Sequence, residues 1–299
     1  MKKRIIDDAF IGQLEALVLM MRTSMQGYFG GTHKTSSYGS TVEFADFREY
    51  VLGDDIRRID WNLYSRFEKH FIKLFVDERQ MHNRLYLDCS ASMGKINPKK
   101  AAYALRLVAA LGFLSVHNMD KVSFGLMRGD VCHDLCGTVV GKSAFYNAVD
   151  QLEAVEFKGE TVMEKAVQTC RDPGYNDGLT VIVSDFLTDS EWKKAVDFLL
   201  YRHREVMLIQ VLSPEEIDPT CNGRVFLRDA ESSDVTDPKN MKMRVTQGAF
   251  QAYRAAFTDY IEDIRGFCAS RGVGFISARC DEPIEKLVFG KLYESGVIK

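Results

Sequence analysis

LYLDCSASMGK, residues 85–95, decides how the rest of the chain is read. An apolar run of strand length ends on Asp88, and two hydroxyls follow at alternate positions, Ser90 and Ser92. Three readings are open: a nucleophile site, a cation site, or a polar turn. Along an extended or gently curving segment, alternate residues point the same way. Asp88, Ser90 and Ser92 would then offer three small oxygens to one hard cation. Cys89 should point away, against a thiol enzyme.

Outward from this stretch, apolar runs of strand length alternate with helical patterns, which implies a largely parallel sheet covered by helices. The predicted strands are 84–90, 121–129, 179–187, 205–213 and 272–280, with 132–140 an edge strand after a short turn. The first helix is expected to start at Asn97 as N-cap with Pro98 in its first position, and to turn Leu105, Val108, Ala109, Gly112 and Val116 inward. Thr188 and Glu191 are spaced as a capping box for a helix burying Trp192, Val196, Leu199 and Leu200. Further helices are expected at 142–153, 161–171 and 248–271. Residues 221–247 read as a β-hairpin inserted in a crossover of the sheet.

Ligands in such sheets bind at the carboxyl ends of strands, where the chain order reverses. Two more oxygens are expected there. Thr161, after Gly159, begins a predicted helix, and Asp185 ends a predicted strand. Asp88, Ser90, Ser92, Thr161 and Asp185 together suit Mg²⁺, which takes oxygen ligands in a near-octahedral shell and keeps some waters. Taken singly, each would be an ordinary cap or turn residue. A nucleophile is poorly supported: no G-x-S-x-G elbow surrounds Ser90 or Ser92, and none of the six histidines falls where a strand-end base is needed.

Composition narrows the class. A chain of 299 residues that is 46% hydrophobic can fill a substantial core. Its 39 basic and 42 acidic residues give a net charge of -3 with no long basic run, which argues against a nucleic-acid surface. Its apolar runs are too short to span a bilayer, and acids interrupt the first twenty residues, so neither membrane insertion nor secretion is expected. Seven cysteines, an odd number, suit a reduced cytoplasmic setting. Cys132 and Cys136 read as half-buried strand residues, because no second pair completes a zinc site.

The first 80 residues are less regular and are read as a separate segment, with the main domain over 81–299. A helix over 8–24 precedes a Gly, Ser and Thr-rich loop at 27–41, and a strand is expected at 71–78. Between them, GDDIRRIDW (53–61) marks a tight turn at Gly53. Arg57, Arg58, Asp60, Trp61 and Arg66 are expected to form ion pairs and a cation–π contact, and to dock this segment on the main domain.

The order D-x-S-x-S, then Thr, then Asp on this background resembles the metal-ion-dependent adhesion site of von Willebrand factor A domains. Asp88, Ser90, Ser92, Thr161 and Asp185 match it without a gap. The resemblance implies that the serines and threonine contact the cation, that the aspartates act directly or through water, and that a partner's carboxylate completes the shell. The GDDIRRIDW run, with Arg66 beyond it and Thr41, Glu43 and Phe44 before it, resembles the bacterial domain-of-unknown-function 58 family over residues 38–290.

That resemblance implies an α/β, von Willebrand factor A-like (Rossmann-type) fold with an N-terminal extension and an inserted hairpin. It also implies a non-enzymatic adaptor or co-chaperone that works with a MoxR-type AAA+ ATPase on a client offering an acidic side chain. The expected cation is Mg²⁺, with Mn²⁺ or Ca²⁺ as alternatives. The chain has no G-x-x-x-x-G-K-[ST] loop, so ATP hydrolysis would belong to the partner. A metal-dependent phosphoesterase and a metal-free scaffold are the competing functions.

Overall fold

The computed structural model describes residues 6–7, 9–16, 43–76, 80–94, 97–170, 178–220, 223–227 and 240–287. The expected loop at 27–41, the later part of the 8–24 helix, the end of the 71–78 strand and the turn of the hairpin lie outside these residues. Two compact units are present, one formed by Met25–Gln80 and the other by Met1–Ser24 with Met81–Lys299. The boundary therefore differs from the expected cut at residue 80. Residues 9–16 form helix α1, whose Phe10 and Leu14 are buried in the core of the larger unit. Arg106 lies over the Phe10 ring, and Ile6 N donates to Glu153 Oε1.

In the smaller unit, β1 (Glu43–Glu49) pairs antiparallel with β2 (Phe71–Val76). The intervening chain turns at Gly53, whose φ of 109° suits a residue without a side chain. Three aspartates then serve as turn and cap acceptors. Asp54 takes Val51 N at 2.9 Å and Arg48 at 2.8 Å. Asp55 caps a 3-10 turn, Ile56–Arg58. Asp60 caps α2 (Trp61–Phe67) by accepting from Asn62 N and Leu63 N, and pairs with Lys73 at 3.0 Å. At Asp60 the described ion-pair partner is Lys73, because capping fixes the carboxylate over the helix start, within reach of β2. Trp61 packs edge-on against Tyr64 and His70.

The larger unit is built on β3 (His82–Asp88), β4 (Lys121–Arg128), β5 (Val131–Val139), β6 (Leu179–Ser184), β7 (Glu205–Leu212) and, after the hairpin β8 (Gly223–Leu227) and β9 (Met241–Val245), β10 (Gly274–Arg279). The strands lie in the order β10-β7-β6-β3-β4-β5. All pairs are parallel except β4–β5, which makes β5 an antiparallel edge. The architecture is the expected α/β sheet, mostly parallel and flanked by helices. The hairpin is inserted between β7 and β10, as expected.

Period-two alternation assigns the two faces. Leu85, Leu87, Val181, Val183, Ile209 and Val211 face one core, and Tyr86, Ile182, Val206 and Leu208 face the other. A sheet apolar on both faces must be covered on both. Helices α4 (Pro98–His117) and α5 (Gly141–Leu152) cover the first face, while α6 (Met163–Thr169), α7 (Trp192–Tyr201) and α9 (Gln247–Arg271) cover the second. The short α3 (Ala91–Gly94) follows β3, α8 (Pro214–Ile217) follows β7, and α10 (Ile284–Lys286) follows β10.

Helix α4 begins as expected, with Asn97 accepting from Lys99 N and Pro98 at its start. Its close approach to the sheet depends on Gly112, where an added Cβ would lie 2.7 Å from the Phe124 ring. The expected capping box at Thr188 and Glu191 is absent. Thr188 instead turns back onto Ser190 N at 3.1 Å, and Glu191 stands at the N-cap without a capping bond, its carboxylate taken by Lys194. Among the described residues, no helix is long and apolar enough to cross a membrane.

Candidate metal centre

The chain runs from β3 outward through β4 and β5, then returns to the opposite side of β3 as β6. The order therefore reverses between β3 and β6, and the carboxyl ends of those strands flank the crevice where ligands bind in such sheets. Asp88 is the last residue of β3, and Asp185 directly follows β6. All five expected residues meet here, by a route that differs locally from the sequence reading. The extended alternation stops at Ser90, because α3 starts at Ala91. Ser92 lies on that helical turn, yet its Oγ comes within 3.0 Å of Ser90 Oγ.

Thr161 is also placed differently. It precedes α6, in a parallel bridge to Gly129. The loop before it is sewn to the sheet end by backbone bonds: Lys158 N to Cys89 O, Ala91 N to Gly159 O and Gly129 N to Glu160 O, all 2.8–2.9 Å. Gly159, at φ 73°, makes the turn. An early helix start would leave these donors and acceptors without partners; the bridge satisfies them. Thr161 is held beside Asp88, and its hydroxyl donates to the Met127 carbonyl at 3.4 Å.

The carboxylates are tightly held. Asp88 Oδ1 accepts from Ser90 N at 2.9 Å, and Oδ2 accepts from Ser184 Oγ at 2.6 Å. Burial, and then the charge of Asp185, push Asp88 above the usual carboxylate range, against the opposing pull of Ser184, Thr161 and Ser90 N. Asp185 Oδ1 accepts from Leu187 N at 3.0 Å, and its Oδ2 from Lys100 Nζ at 2.7 Å. Gln210 donates to the Asp185 carbonyl at 3.0 Å. Cys89 points into the core as expected, and burial, then Asp88, push its thiol up to about 12, which makes it a poor nucleophile.

The donor set fits a hard cation. Among the described residues no group of three His, Cys, Asp or Glu side chains is placed to hold an ion; the oxygens gathered at this edge are three hydroxyls and two carboxylates. Neighbouring corners of a Mg²⁺ octahedron with bonds of about 2.1 Å are about 3 Å apart, which matches the Ser90–Ser92 separation of 3.0 Å. Two buried carboxylates, of which Asp185 raises the cost of ionising Asp88, supply opposing charge. Of the five, Ser92 alone is half-buried and the rest are buried, so the site opens on the Ser92 side.

Three residues of this centre escaped the sequence reading: Lys100, Ser184 and Glu216. Lys100 carried a signal, since it lies three, four and seven residues before Tyr103, Ala104 and Leu107 on an otherwise apolar helix face. Ser184 directly precedes Asp185, and Glu216 closes a capping box with Ser213 after a proline.

This fold and centre accompany a clear family assignment. Residues 46–258 match the model of "Protein of unknown function DUF58", and the chain belongs to that family. It is 26% identical over 238 residues to the uncharacterized protein Rv1480 of Mycobacterium tuberculosis, covering 77% of this chain and 74% of that protein. Over 116 residues it is 31% identical to the uncharacterized protein MAV169 of Mycobacterium avium, covering 39% of this chain and 65% of that one.

Among solved structures, it is similar to an aerotolerance-related membrane protein from Bacteroides fragilis, with a TM-score of 0.45 and 15% identity over 73% of this chain and 99% of that one. It is also similar to manganese-loaded Plasmodium vivax TRAP protein, with a TM-score of 0.36 and 16% identity over 44% of this chain and 57% of that one.

Proposed function

We propose that the chain is a Mg²⁺-dependent protein-binding module that captures a partner through an acidic side chain. The observation that carries this reading is the convergence of the Ser90, Ser92 and Thr161 hydroxyls with Asp88 and Asp185 at the sheet's reversal point. The hydroxyl donors carry no formal charge, so a carboxylate from outside is a natural further ligand for the cation. Ser92, at the open side, marks where that carboxylate enters.

The proposed partner is a MoxR-type AAA+ ATPase, with the module acting as adaptor or co-chaperone towards client proteins. The resemblance set out from GDDIRRIDW and the five-residue site supports this assignment, and membership of DUF58 is compatible with it. The six described cysteines are all free, which suits the proposed cytoplasmic setting. Binding is favoured over phosphoester turnover because both site carboxylates accept a hydrogen bond at each oxygen.

Asp88→Ala should abolish both Mg²⁺ binding and capture of the ATPase while the secondary structure is retained. Equal recovery of the ATPase by wild type and variant, with and without chelator, would remove the cation from the mechanism.

A further inference from the structure

Lys100, in the first turn of α4, buries its whole side chain beneath the site. Its ammonium donates to Asp185 Oδ2 and to Glu216 Oε1, each at 2.7 Å, and to the Ser92 carbonyl at 3.3 Å. Three acceptors use the full donor capacity of a lysine. Two of the three acceptors are carboxylates, the partners an ammonium takes when buried. Glu216 is itself fixed, since its other oxygen accepts from Ser213 N at 2.7 Å in the capping box of α8. Lys100 thus links the cation site to the turn after β7.

We propose that Lys100 is a positioning residue that holds Asp185 away from direct contact with the cation, leaving the cation's charge to the partner's carboxylate. The inference rests on the cation reading above and adds a role for a residue outside the five ligands. Asp185 has one oxygen committed to Lys100 and the other to Leu187 N. It would therefore act on a bound cation through water, and the three neutral hydroxyls would supply the direct donors. A fixed positive charge beside the site also weakens cation binding, as a like charge must. Glu216 shares the ammonium with Asp185 and so moderates its grip.

A triad that only braces the fold would alter stability without changing how the cation is bound. Mn²⁺ titration of the full chain by calorimetry, with water-proton relaxation to count manganese-bound waters, separates the two roles. Lys100→Met should bind Mn²⁺ roughly ten-fold more tightly, because a like charge is lost and Asp185 is released. It should hold about one fewer water on the metal, displaced by Asp185. Acetate, as a carboxylate probe, should bind the loaded variant more weakly than the loaded wild type. Glu216→Gln, which keeps a capping residue at a partly exposed position, should bind Mn²⁺ about three-fold more weakly with the water count unchanged.

A folded Lys100→Met protein with unchanged or weaker affinity and an unchanged water count overturns the inference and leaves the site reading intact. If that variant does not fold, Glu216→Gln decides: weaker binding supports the inference and unchanged binding overturns it. A wild-type chain with no saturable Mn²⁺ binding overturns both.

Discussion

Ser184 Oγ donates to Asp88 Oδ2 across 2.6 Å, tying the end of β6 to the end of β3 beneath the candidate centre. The same hydroxyl accepts from Phe186 N at 3.0 Å, in a residue held at φ 55°. One serine therefore orients Asp88 on the neighbouring strand and shapes the turn that carries Asp185. Both donor and acceptor are buried, so the bond has no water to replace it.

Ser184→Ala should destabilise the larger unit by about 1–3 kcal/mol, the range for leaving a buried charged acceptor short of a partner. It should also weaken Mg²⁺ binding, because Asp88 loses a bond that fixes its orientation and favours its ionised form. Urea unfolding and calorimetric titration on the same preparation would check both effects. Unchanged stability would mean that the bond is not made in solution.

Gly112→Ala tests the packing of α4 on the sheet. The added methyl would meet Phe124 at 2.7 Å and Phe145 at 3.2 Å, and overpacking of this kind costs about 1–3 kcal/mol. The expected result is a lower urea midpoint with an unchanged slope. Stability equal to wild type would show that the two rings move aside freely.

Much of this was legible in the sequence because it follows from periodicity. The apolar runs of strand length alternating with helical patterns announced a sheet covered by helices, and Asn97-Pro98 announced the start of α4. The five site residues could be read because each ends or follows a strand, or follows a glycine turn. What escaped is set by tertiary contact. Thr188 and Glu191 have capping-box spacing, but Thr188 is taken by Ser190 N. Thr161 has a helix-start setting, but the bridge to Gly129 claims it. Asp60 sits among arginines in sequence and meets Lys73 in space. Glu216 lies 116 residues from Lys100, a distance that no local pattern can span.

In the smaller unit, acid should loosen α2 through Asp60. The Lys73 bond, with help from Asn62 N and Leu63 N, holds this carboxyl below the usual range against the opposing effect of burial. A depressed carboxylate contributes stability that is fully present above its unfolded pKa and is lost as pH falls through the folded value. The amide resonances of Asn62 and Leu63 should therefore move together only well below the ordinary carboxylate range. In Asp60→Asn that acid step should vanish. A titration at the ordinary carboxylate pKa would contradict the ion pair.

The central claim is that Ser90 and Ser92 are cation donors and not turn hydroxyls. Its most direct test is calorimetric titration of Mg²⁺ into wild type and into the double variant Ser90→Ala/Ser92→Ala, with thermal unfolding of each in EDTA. The account predicts saturable binding by wild type, none by the variant, and similar unfolding temperatures for the two in EDTA. Equal binding by both proteins, or none by wild type, would contradict it.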